Sequence, residues 1–554
     1  MRDARTRRPA QASPWTPIGN SLFRSLWIGL FFAEVALWVN GVAVVWLVAS
    51  LSSSPAVLAL VQTASALPVF VLAVPAGALA DVVDRRILLM AAQAYMTVFA
   101  TVLAIVSAFG GIDAWLVLSL TAALGAGLAF TAPAAQAALT QVVDGPTLPA
   151  AVALGWISIN VARAIGPAVG GGLVALVGAT PTLAIAALAL AGVTFQIYRW
   201  PLPRQRRAFP AERFVGAMRV GARFLFQSKE MHAVLLRAAS FFIFASSFLS
   251  LLPVLAKHEL SSGPAAYGLY LGIFGVGAVG IATLLPGLRA LFPLDQIELG
   301  TRLIFAIASI LGGFSRGPWT LGVAAFMAGG AWLMAMSCLN VGAQNVVPAW
   351  VRARAMGAFL VTLFGSIFLG SFLFAALSFL FGARIAMELA AATLLLSVVP
   401  AHRFGLSDGE NLDLNPSLHW PLPQPAATIS ADAGPVMVAI DYEIDPRQRK
   451  KFAATMNDLR RIRLRNGAVH CWLFEEIDVP THQIEIILVE SWAEYLRQWE
   501  RMTGTDRDVQ LLTFAFHRGE SPPKVSKFVA GMAGLATLKQ VDTDSGPQLQ
   551  RGTA

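Results

Sequence analysis

The sequence predicts an all-α membrane protein with twelve transmembrane helices in two six-helix halves, followed by a small α+β domain in water. Three observations predict this fold class. The mean hydropathy is +0.64, only 13% of the 554 residues are charged, and the charges are concentrated toward the C-terminus. Soluble proteins carry about 25% charged residues, so the composition argues against a typical cytosolic enzyme, a disordered chain and a basic nucleic-acid-binding protein.

The uneven charge distribution separates two parts of the chain. Residues 1–429 contain 25 Lys or Arg and 15 Asp or Glu, whereas residues 430–554 contain 16 and 17. The first part is therefore sparsely charged and basic, and the second has the charge density of a soluble domain. Because the excess of basic residues lies wholly in the membrane part, where it orients helices, no nucleic-acid partner is needed to explain it.

A membrane-spanning helix needs about 20 mostly apolar residues. Twelve segments meet this requirement, and one of them contains Glu298 and Arg302, whose i,i+4 spacing predicts a structural ion pair. The segments are 25–49, 56–80, 87–109, 114–138, 149–177, 180–198, 233–256, 266–288, 296–313, 319–346, 355–380 and 384–400. We divide the chain into a basic N-terminus (1–24), a first half (25–198), a central loop (199–232), a second half (233–400), a linker (401–433), a soluble domain (434–520) and a C-terminal tail (521–554).

The connections between the spans carry Lys and Arg asymmetrically. One side of the predicted membrane holds 19 of these residues and the other holds 3. Positive charge in short connections marks the cytoplasmic side. We therefore expect a multi-pass protein of the inner cell membrane whose N- and C-termini are both cytoplasmic.

The soluble domain shows the order β-α-β-β-α-β, which is typical of a ferredoxin-like fold. The predicted elements are a strand at 436–443, a helix at 446–464, strands at 467–475 and 483–490, a helix at 492–502 and a last strand at 509–517. Alternating apolar residues are expected to form one open face of the sheet: Val436, Val438, Ile440, Ile484, Ile486 and Leu488. An exposed apolar face of this kind marks an interface, so we expect this domain to associate with itself or with the cytoplasmic loops.

The residues that usually hold metals or cofactors are few and scattered. The two cysteines, Cys338 and Cys471, lie in different domains, and the seven histidines lack the spacing of metal ligands. A phosphate-binding loop of the type G-x-x-x-x-G-K-[ST] is also missing from the sequence. We therefore expect no metal, no cofactor and no catalytic residues, and we expect that the protein is not an enzyme.

The connection between the second and third spans has the sharpest motif, formed by Gly77, Asp81, Asp84, Arg85 and Arg86. It resembles the Gly-x-Leu-Ala-Asp loop of the major facilitator superfamily, which is followed by a basic pair. The resemblance implies a cytoplasmic latch that breaks as the two halves rock, with Asp81 paired to an arginine or to a helix N-terminus. The alternative is an ordinary polar turn.

A second motif, Gly166-Pro167-Ala-Val-Gly170-Gly171, lies in the fifth span. Small residues four apart permit close helix packing, and proline bends a helix. The motif is similar to the core of the antiporter motif of the same superfamily, and this resemblance implies proton-coupled export. Helix packing alone is the alternative.

Charged residues inside spans are functional candidates because they are costly in the bilayer. Glu34 lies midway along the first span, about one turn from Trp38, and Arg163 lies in the fifth span, one turn from Asn160. We expect these four residues to line a substrate or proton cavity, with Glu34 as the proton site. The alternative is that Glu34 is a permanently hydrogen-bonded structural residue.

Motifs in the second half and in the soluble domain narrow the resemblance to one branch of the superfamily. Tyr267-Gly268-Leu-Tyr-Leu-Gly272-Ile-Phe-Gly275, Arg465-Asn-Gly467-Ala and Glu490-Ser491-Trp492 resemble the enterobactin-exporter-like branch, also called the transmembrane secretion effector group. The resemblance covers about residues 20–530 and implies an exporter of a small molecule.

The function that these observations favour is secondary active export of a siderophore, drug or metabolite by proton antiport. Its partners would be the small molecule, the proton and the lipid bilayer, with no nucleic acid. Two alternatives remain: a membrane receptor or scaffold whose soluble domain carries the activity, and a chain whose soluble domain is a small oxygenase. Fold alone cannot choose between them.

The orientation is testable with topology reporters. Fusions at Ala554 and within the segment from Arg204 to Arg213 should both report a cytoplasmic location, because 19 of the 22 charges counted above favour that side. A periplasmic signal from either fusion would contradict the twelve-span arrangement.

Overall fold

The computed structural model describes residues 15–143, 147–200, 214–348, 350–407, 412–419 and 429–530. The chain divides into two compact units. The first contains most of the apolar helices. The second contains residues 212–232, residues 344–355 and everything after residue 408. Each unit is described by itself.

The first half of the apolar region forms six long helices. Their ends follow from local chemistry: Asn20, Asp84 and Asp113 accept hydrogen bonds from the first backbone N–H groups of three helices, and proline begins another. The helices are α1 (Ser21–Leu51), α2 (Pro55–Val82), α3 (Arg85–Phe109), α4 (Ala114–Gln141), α5 (Leu148–Val177) and α6 (Ala179–Arg199).

A further helix and seven more apolar or partly apolar helices follow. Gly178 and Gly382 begin α6 and α13 with positive φ angles of 87° and 85°, a conformation that glycine adopts without strain. The helices are α7 (Phe214–Gln227), α8 (Lys229–Val254), α9 (Pro264–Leu291), α10 (Leu294–Gly313), α11 (Pro318–Asn345), α12 (Arg352–Phe381), α13 (Ala383–Leu396) and α14 (Val398–Arg403).

Eleven helices among the described residues are long and apolar enough to cross a membrane. The predicted helical membrane architecture is therefore confirmed. The ninth predicted span, 296–313, is not one of the eleven, although it does form a helix, α10, of 20 residues. Glu298 and Arg302 lower the hydropathy of this segment.

The charges of α10 are buried as a compensated network. Arg302 donates to Glu298 (Nη2 to Oε1, 2.7 Å) across one helical turn, and Arg237 on α8 lies 3.2 Å from the other oxygen of Glu298. Arg237 also pairs with Asp295. Arg302 further donates to Ser397 Oγ at 2.7 Å. Two guanidinium groups thus face two carboxylates, so each of these four charges has an opposite partner. The predicted i,i+4 pair is present, and it joins α8 to α10.

The soluble domain is a four-stranded antiparallel sheet with helices on one face. The strand order β2-β3-β1-β4 is that of a ferredoxin-like fold. The elements are β1 (Val436–Glu443), α15 (Arg449–Arg465), β2 (His470–Glu475), β3 (His482–Val489), α16 (Trp492–Arg501), α17 (Gly504–Phe514) and β4 (Lys524–Val529).

The predicted last strand at 509–517 is wrong, because these residues belong mainly to α17. Thr503 and Asp506 form a reciprocal capping box at its N-terminus, and this fixes a helix start. The fourth strand, β4, lies instead at 524–529, in the segment assigned to the tail. It pairs with β1 through Val436–Val529 and Asp441–Lys524.

The predicted open face is also wrong, because it mixed two faces of the sheet. Val436 pairs with Val489, and Val438 pairs with Ile487, so Val436, Val438 and Ile440 face the helices and are buried. Ile484, Ile486 and Leu488 lie on the opposite, open face. Successive residues of one strand lie on opposite faces of the sheet. The register between two strands decides which residues of each strand share a face.

The open face carries aromatic side chains from both edge strands. Trp472 and Phe474 on β2 are 42% and 51% exposed, and Phe528 on β4 is 50% exposed. Trp472 pairs with Ile486 and Phe474 with Ile484. His470 stacks on Trp472 with ring centroids 4.6 Å apart. This face is therefore a contiguous apolar surface.

A buried polar cluster lies between the sheet and α15. The Glu485 carboxylate accepts from Tyr442 Oη at 3.0 Å and from Arg463 Nε at 3.1 Å. Burial and the Glu485 carboxylate raise the pKa of the Cys471 thiol to about 12, and they raise the pKa of Tyr442 well above its usual value. Glu485 is thus the fixed charge around which this part of the domain is organised.

Candidate functional site: the contact of α1 with α5

Two glycines of α5 bring its backbone against α1. A Cβ atom on Gly166 would lie 2.6 Å from Trp38 Cβ, and one on Gly170 would lie 2.9 Å from Val39 Cα. Real Cβ atoms do not approach so closely, so only glycine fits. The i,i+4 spacing places both glycines on one face of α5, and that face packs on the middle of α1.

The two predicted charged residues lie next to this contact. The Arg163 guanidinium lies over the Trp38 ring, with Cζ 5.9 Å from the ring centroid, and it interacts electrostatically with Glu34. All three side chains are half-buried. The structure therefore brings together three of the four predicted cavity residues, one acidic, one basic and one aromatic.

Asn160 lies three residues before Arg163 on α5 and is half-buried. The i,i+3 spacing puts it on the same side of the helix. Trp27 on α1 donates from Nε1 to Leu154 O at 2.9 Å, which fixes the two helices to each other nearer the start of α5. The α1–α5 pair is thus held both by glycine packing and by a side-chain hydrogen bond.

A neighbouring face of α5 packs on α9 of the second half. A Cβ on Gly171 would lie 2.8 Å from Gly268 Cα, and one on Gly268 would lie 2.5 Å from Pro167 O. Farther along, Gly275 packs on the backbone of Ala164. α5 therefore contacts α1 through Gly166 and Gly170 and contacts α9 through Gly171, which assigns the motif glycines to two different neighbours.

A second contact joins the halves between α2 and α12. The Phe70 and Phe368 rings stack with centroids 6.2 Å apart and an interplanar angle of 8°. Gly365 accommodates the Phe70 ring, whose Cδ2 would lie 2.7 Å from a Cβ. Sequence reasoning missed this contact. The glycine-rich α12 offered a packing signal, but which helix it meets is a tertiary property.

The loop motif is described only in part. Asp84 caps α3 by accepting from Arg86 N at 2.9 Å, and Arg86 Nη2 donates to Tyr198 O at 2.6 Å, near the C-terminus of α6. Gly77 lies in open space, since a Cβ there would meet nothing within 4 Å. The side chains of Asp81 and Arg85 lie outside the described residues. Arg86 thus satisfies a carbonyl at a helix end that favours positive charge.

Metal ligation is not suggested by the described side chains. Across the described ranges, no three His, Cys, Asp or Glu side chains converge in a way that could hold a metal ion. What the α1–α5 site offers chemically is a carboxylate that can gain or lose a proton next to a fixed positive charge and an aromatic surface.

The fold and this site define a membrane transporter of the major facilitator type. Residues 12–534 match the transmembrane secretion effector family, and the chain belongs to that family. This confirms the superfamily inferred from the loop and span motifs. No curated protein matches the sequence significantly.

Solved structures with the same fold include three transporters. The human organic anion transporter MFSD10 (TETRAN) is 17% identical, with a TM-score of 0.51 over 69% of this chain and 98% of that one. A bacterial homologue of the human lysosomal transporter Spinster, inward-facing and unoccupied, is 15% identical, with a TM-score of 0.54 over 70% and 97%. A D-xylose–proton symporter is 12% identical, with a TM-score of 0.56 over 71% and 99%. At these identities the similarity shows the fold.

The α5–α9 contact makes a specific stability prediction. Gly268→Ala places a Cβ against the Pro167 carbonyl and should destabilise the protein by about 1–3 kcal/mol, as overpacking does. Gly280→Ala on the same helix is the control, because nothing lies within 4 Å of its Cβ position. Thermal unfolding of the purified proteins compares the two. Equal stability of the two variants would contradict the contact.

Proposed function

We propose that the protein exports a small molecule, such as a siderophore, drug or metabolite, by proton antiport. Family membership and fold support transport of a small molecule across a membrane. The direction of transport and the coupling ion are the parts of the proposal that go beyond family and fold. The observation that carries them is the electrostatic interaction of Glu34 with Arg163, whose guanidinium lies over the Trp38 ring, at the contact of α1 with α5.

The site supports proton coupling for an electrostatic reason. A carboxylate inside a membrane span is costly unless it is paired or protonated. Arg163 supplies an opposite charge that interacts with Glu34 electrostatically in the present arrangement. In a state that separates α1 from Arg163, Glu34 would take up a proton. Protonation would then be linked to the exchange between states, because each state binds the proton differently.

The aromatic surface supports a partly hydrophobic substrate. The Arg163 guanidinium already lies on the Trp38 ring, and such rings bind cations and apolar groups. A substrate that displaces the guanidinium from the ring would also disturb the pairing with Glu34. Substrate and proton would therefore compete for one small set of side chains, as antiport requires.

Movement of the two halves is the remaining requirement. Two contacts between them, α5 with α9 and α2 with α12, consist of glycine faces and stacked rings rather than ion pairs. Such surfaces can separate without leaving charges unpaired. This supports an alternating-access cycle around a site between the halves. We place the protein in the inner membrane with both termini on the cytoplasmic side.

Glu34→Gln tests the coupling. The substrate is first identified by the export phenotype that is lost on deletion of the gene, and efflux is then measured in vesicles under a set pH gradient. The variant should abolish pH-driven efflux but keep substrate binding and energy-independent exchange, because the amide cannot release a proton.

Glu388→Gln is the matched control. It removes another half-buried carboxylate, on α13, and should leave coupling intact. If Glu34→Gln still couples efflux to the gradient, Glu34 is structural. If no export phenotype exists, the export proposal itself fails.

We also propose that Asp81 latches the cytoplasmic side during the cycle. Asp81→Asn should slow turnover by an order of magnitude or more while leaving substrate affinity nearly unchanged, because the latch acts on the conformational step. Asp84→Ala is the comparison, since it removes the side chain that caps α3 and should act mainly on stability. Normal turnover in a stably expressed Asp81→Asn protein would make Asp81 only a turn residue.

Self-association is proposed for the open sheet face of the soluble domain. Trp472, Phe474 and Phe528 give this face exposed apolar area, and a second copy would bury the same area twice. The full-length protein in detergent should therefore be dimeric by light scattering, and Phe474→Glu should make it monomeric. Arg461→Glu, on an exposed helix position, should leave the dimer unchanged. A monomeric wild type would contradict this proposal.

A further inference from the structure

The second compact unit contains more than the soluble domain. It also includes α7 from the central loop and residues 344–355, which join α11 to α12. α7 ends at Gln227, and α8 begins only two residues later at Lys229. α12 begins within the same unit, at Arg352. Two apolar helices of the second half therefore start inside the unit that holds the soluble domain.

A cluster of aromatic rings and guanidinium groups joins α7 and the segment 344–355 to the helices of the soluble domain. Phe224 of α7 is fully buried and meets the Trp350 ring edge-on, with centroids 5.9 Å apart. Arg501 of α16 lies over Trp350, with Cζ 4.8 Å from the ring centroid. Arg465 of α15 lies over Phe224 at 5.9 Å. Each ring from the loops thus has an arginine of the soluble domain above it.

The two arginines are held in place by the soluble domain itself. Arg501 pairs with Glu494 and donates to Asn466 O at 3.0 Å. Arg465 pairs with Asp506. Arginines that ion pairs already hold in place lie on an aromatic ring at little additional cost in conformational entropy. The cluster is therefore a preformed surface that accepts Phe224 and Trp350.

Ion pairs surround the aromatic centre and fix its register. Arg223 of α7 lies 3.3 Å from Glu490 Oε1 and donates to Gly467 O at 3.2 Å. Lys229 at the start of α8 lies 3.8 Å from Asp458 on α15. Exposed ion pairs add little stability, but pairs on both sides of Phe224 select one orientation of α7.

We propose that the soluble domain is a brace for the second six-helix half. By holding α7 and the turn around Trp350, it fixes the first turns of α8 and α12, so that the domain and these membrane helices unfold together. The brace depends neither on the substrate nor on the coupling ion, and its test does not require transport activity.

The chain carries its own reporters for this test. Cys338 on α11 and Cys471 in the soluble domain are the free cysteines of the described residues, and both are buried. One lies in each compact unit. A thiol-reactive maleimide dye labels a buried cysteine only when the surrounding structure unfolds. Cys471→Ala leaves Cys338 to report on the membrane helices, and Cys338→Ala leaves Cys471 to report on the soluble domain.

In the full-length protein the two reporters should show the same unfolding temperature. Arg223→Glu should lower the temperature at which Cys338 reacts by about 2–4 °C, because two carboxylates then face each other. Adding Glu490→Arg restores an opposite-charge pair and should recover most of the loss. Arg449→Glu is the control, since Arg449 pairs with Glu475 on the soluble domain itself and should leave the Cys338 temperature unchanged.

Phe224→Leu is the milder second variant, in case Arg223→Glu prevents folding. It keeps an apolar side chain but removes the ring under Arg465, and it should also lower the Cys338 temperature. The brace is overturned if neither variant changes the temperature at which Cys338 reacts. It is also overturned if Cys338 and Cys471 react at different temperatures in proteins with the native interface. A domain that is only tethered would give those results.

Discussion

Close backbone packing of α5 is the constraint on which the membrane part depends. Because lipid is as apolar as a leucine side chain, burial alone does not drive helices together in a bilayer, and close van der Waals contact must do so. Gly166 and Gly170 provide it toward α1, and Gly171 provides it toward α9. The same contact sets the height at which Arg163 lies against Trp38 and Glu34. Replacing these glycines would displace the site as well as the helices.

Compensated burial of charge is the second common feature. Glu298 is shared by Arg302 and Arg237 in the second half, and Glu485 is shared by Arg463 and Tyr442 in the soluble domain. In both places removing one partner would strand a buried charge, which costs more than the pair contributes. Glu34 and Arg163 differ, because both side chains are only half-buried. That difference fits the switching role proposed for Glu34, whereas the other clusters suit a structural one.

The soluble domain has two separate contact surfaces, its helical layer and the open face of its sheet. Its helices α15 and α16 carry the arginines that contact Phe224 and Trp350, while the open face of the sheet keeps its aromatic residues exposed. The helical layer is thus occupied by segments of the same chain, and the sheet face remains accessible. A ferredoxin-like fold is well suited to such contacts, because function lies in particular sites and surfaces rather than in the fold.

The sequence by itself determined the helical membrane architecture, the separate α+β domain, the ion pair of Glu298 with Arg302 and the family, because hydropathy, periodicity and short motifs are local properties. It also placed Glu34, Trp38 and Arg163 in one candidate site. Register and partner choice were decided only by the tertiary structure. The capping box at Thr503 turned a predicted strand into α17, strand pairing put Val436 and Ile484 on opposite faces, and Gly171 met α9 rather than α1. These outcomes depend on which distant residues come into contact, and a linear pattern does not contain that information.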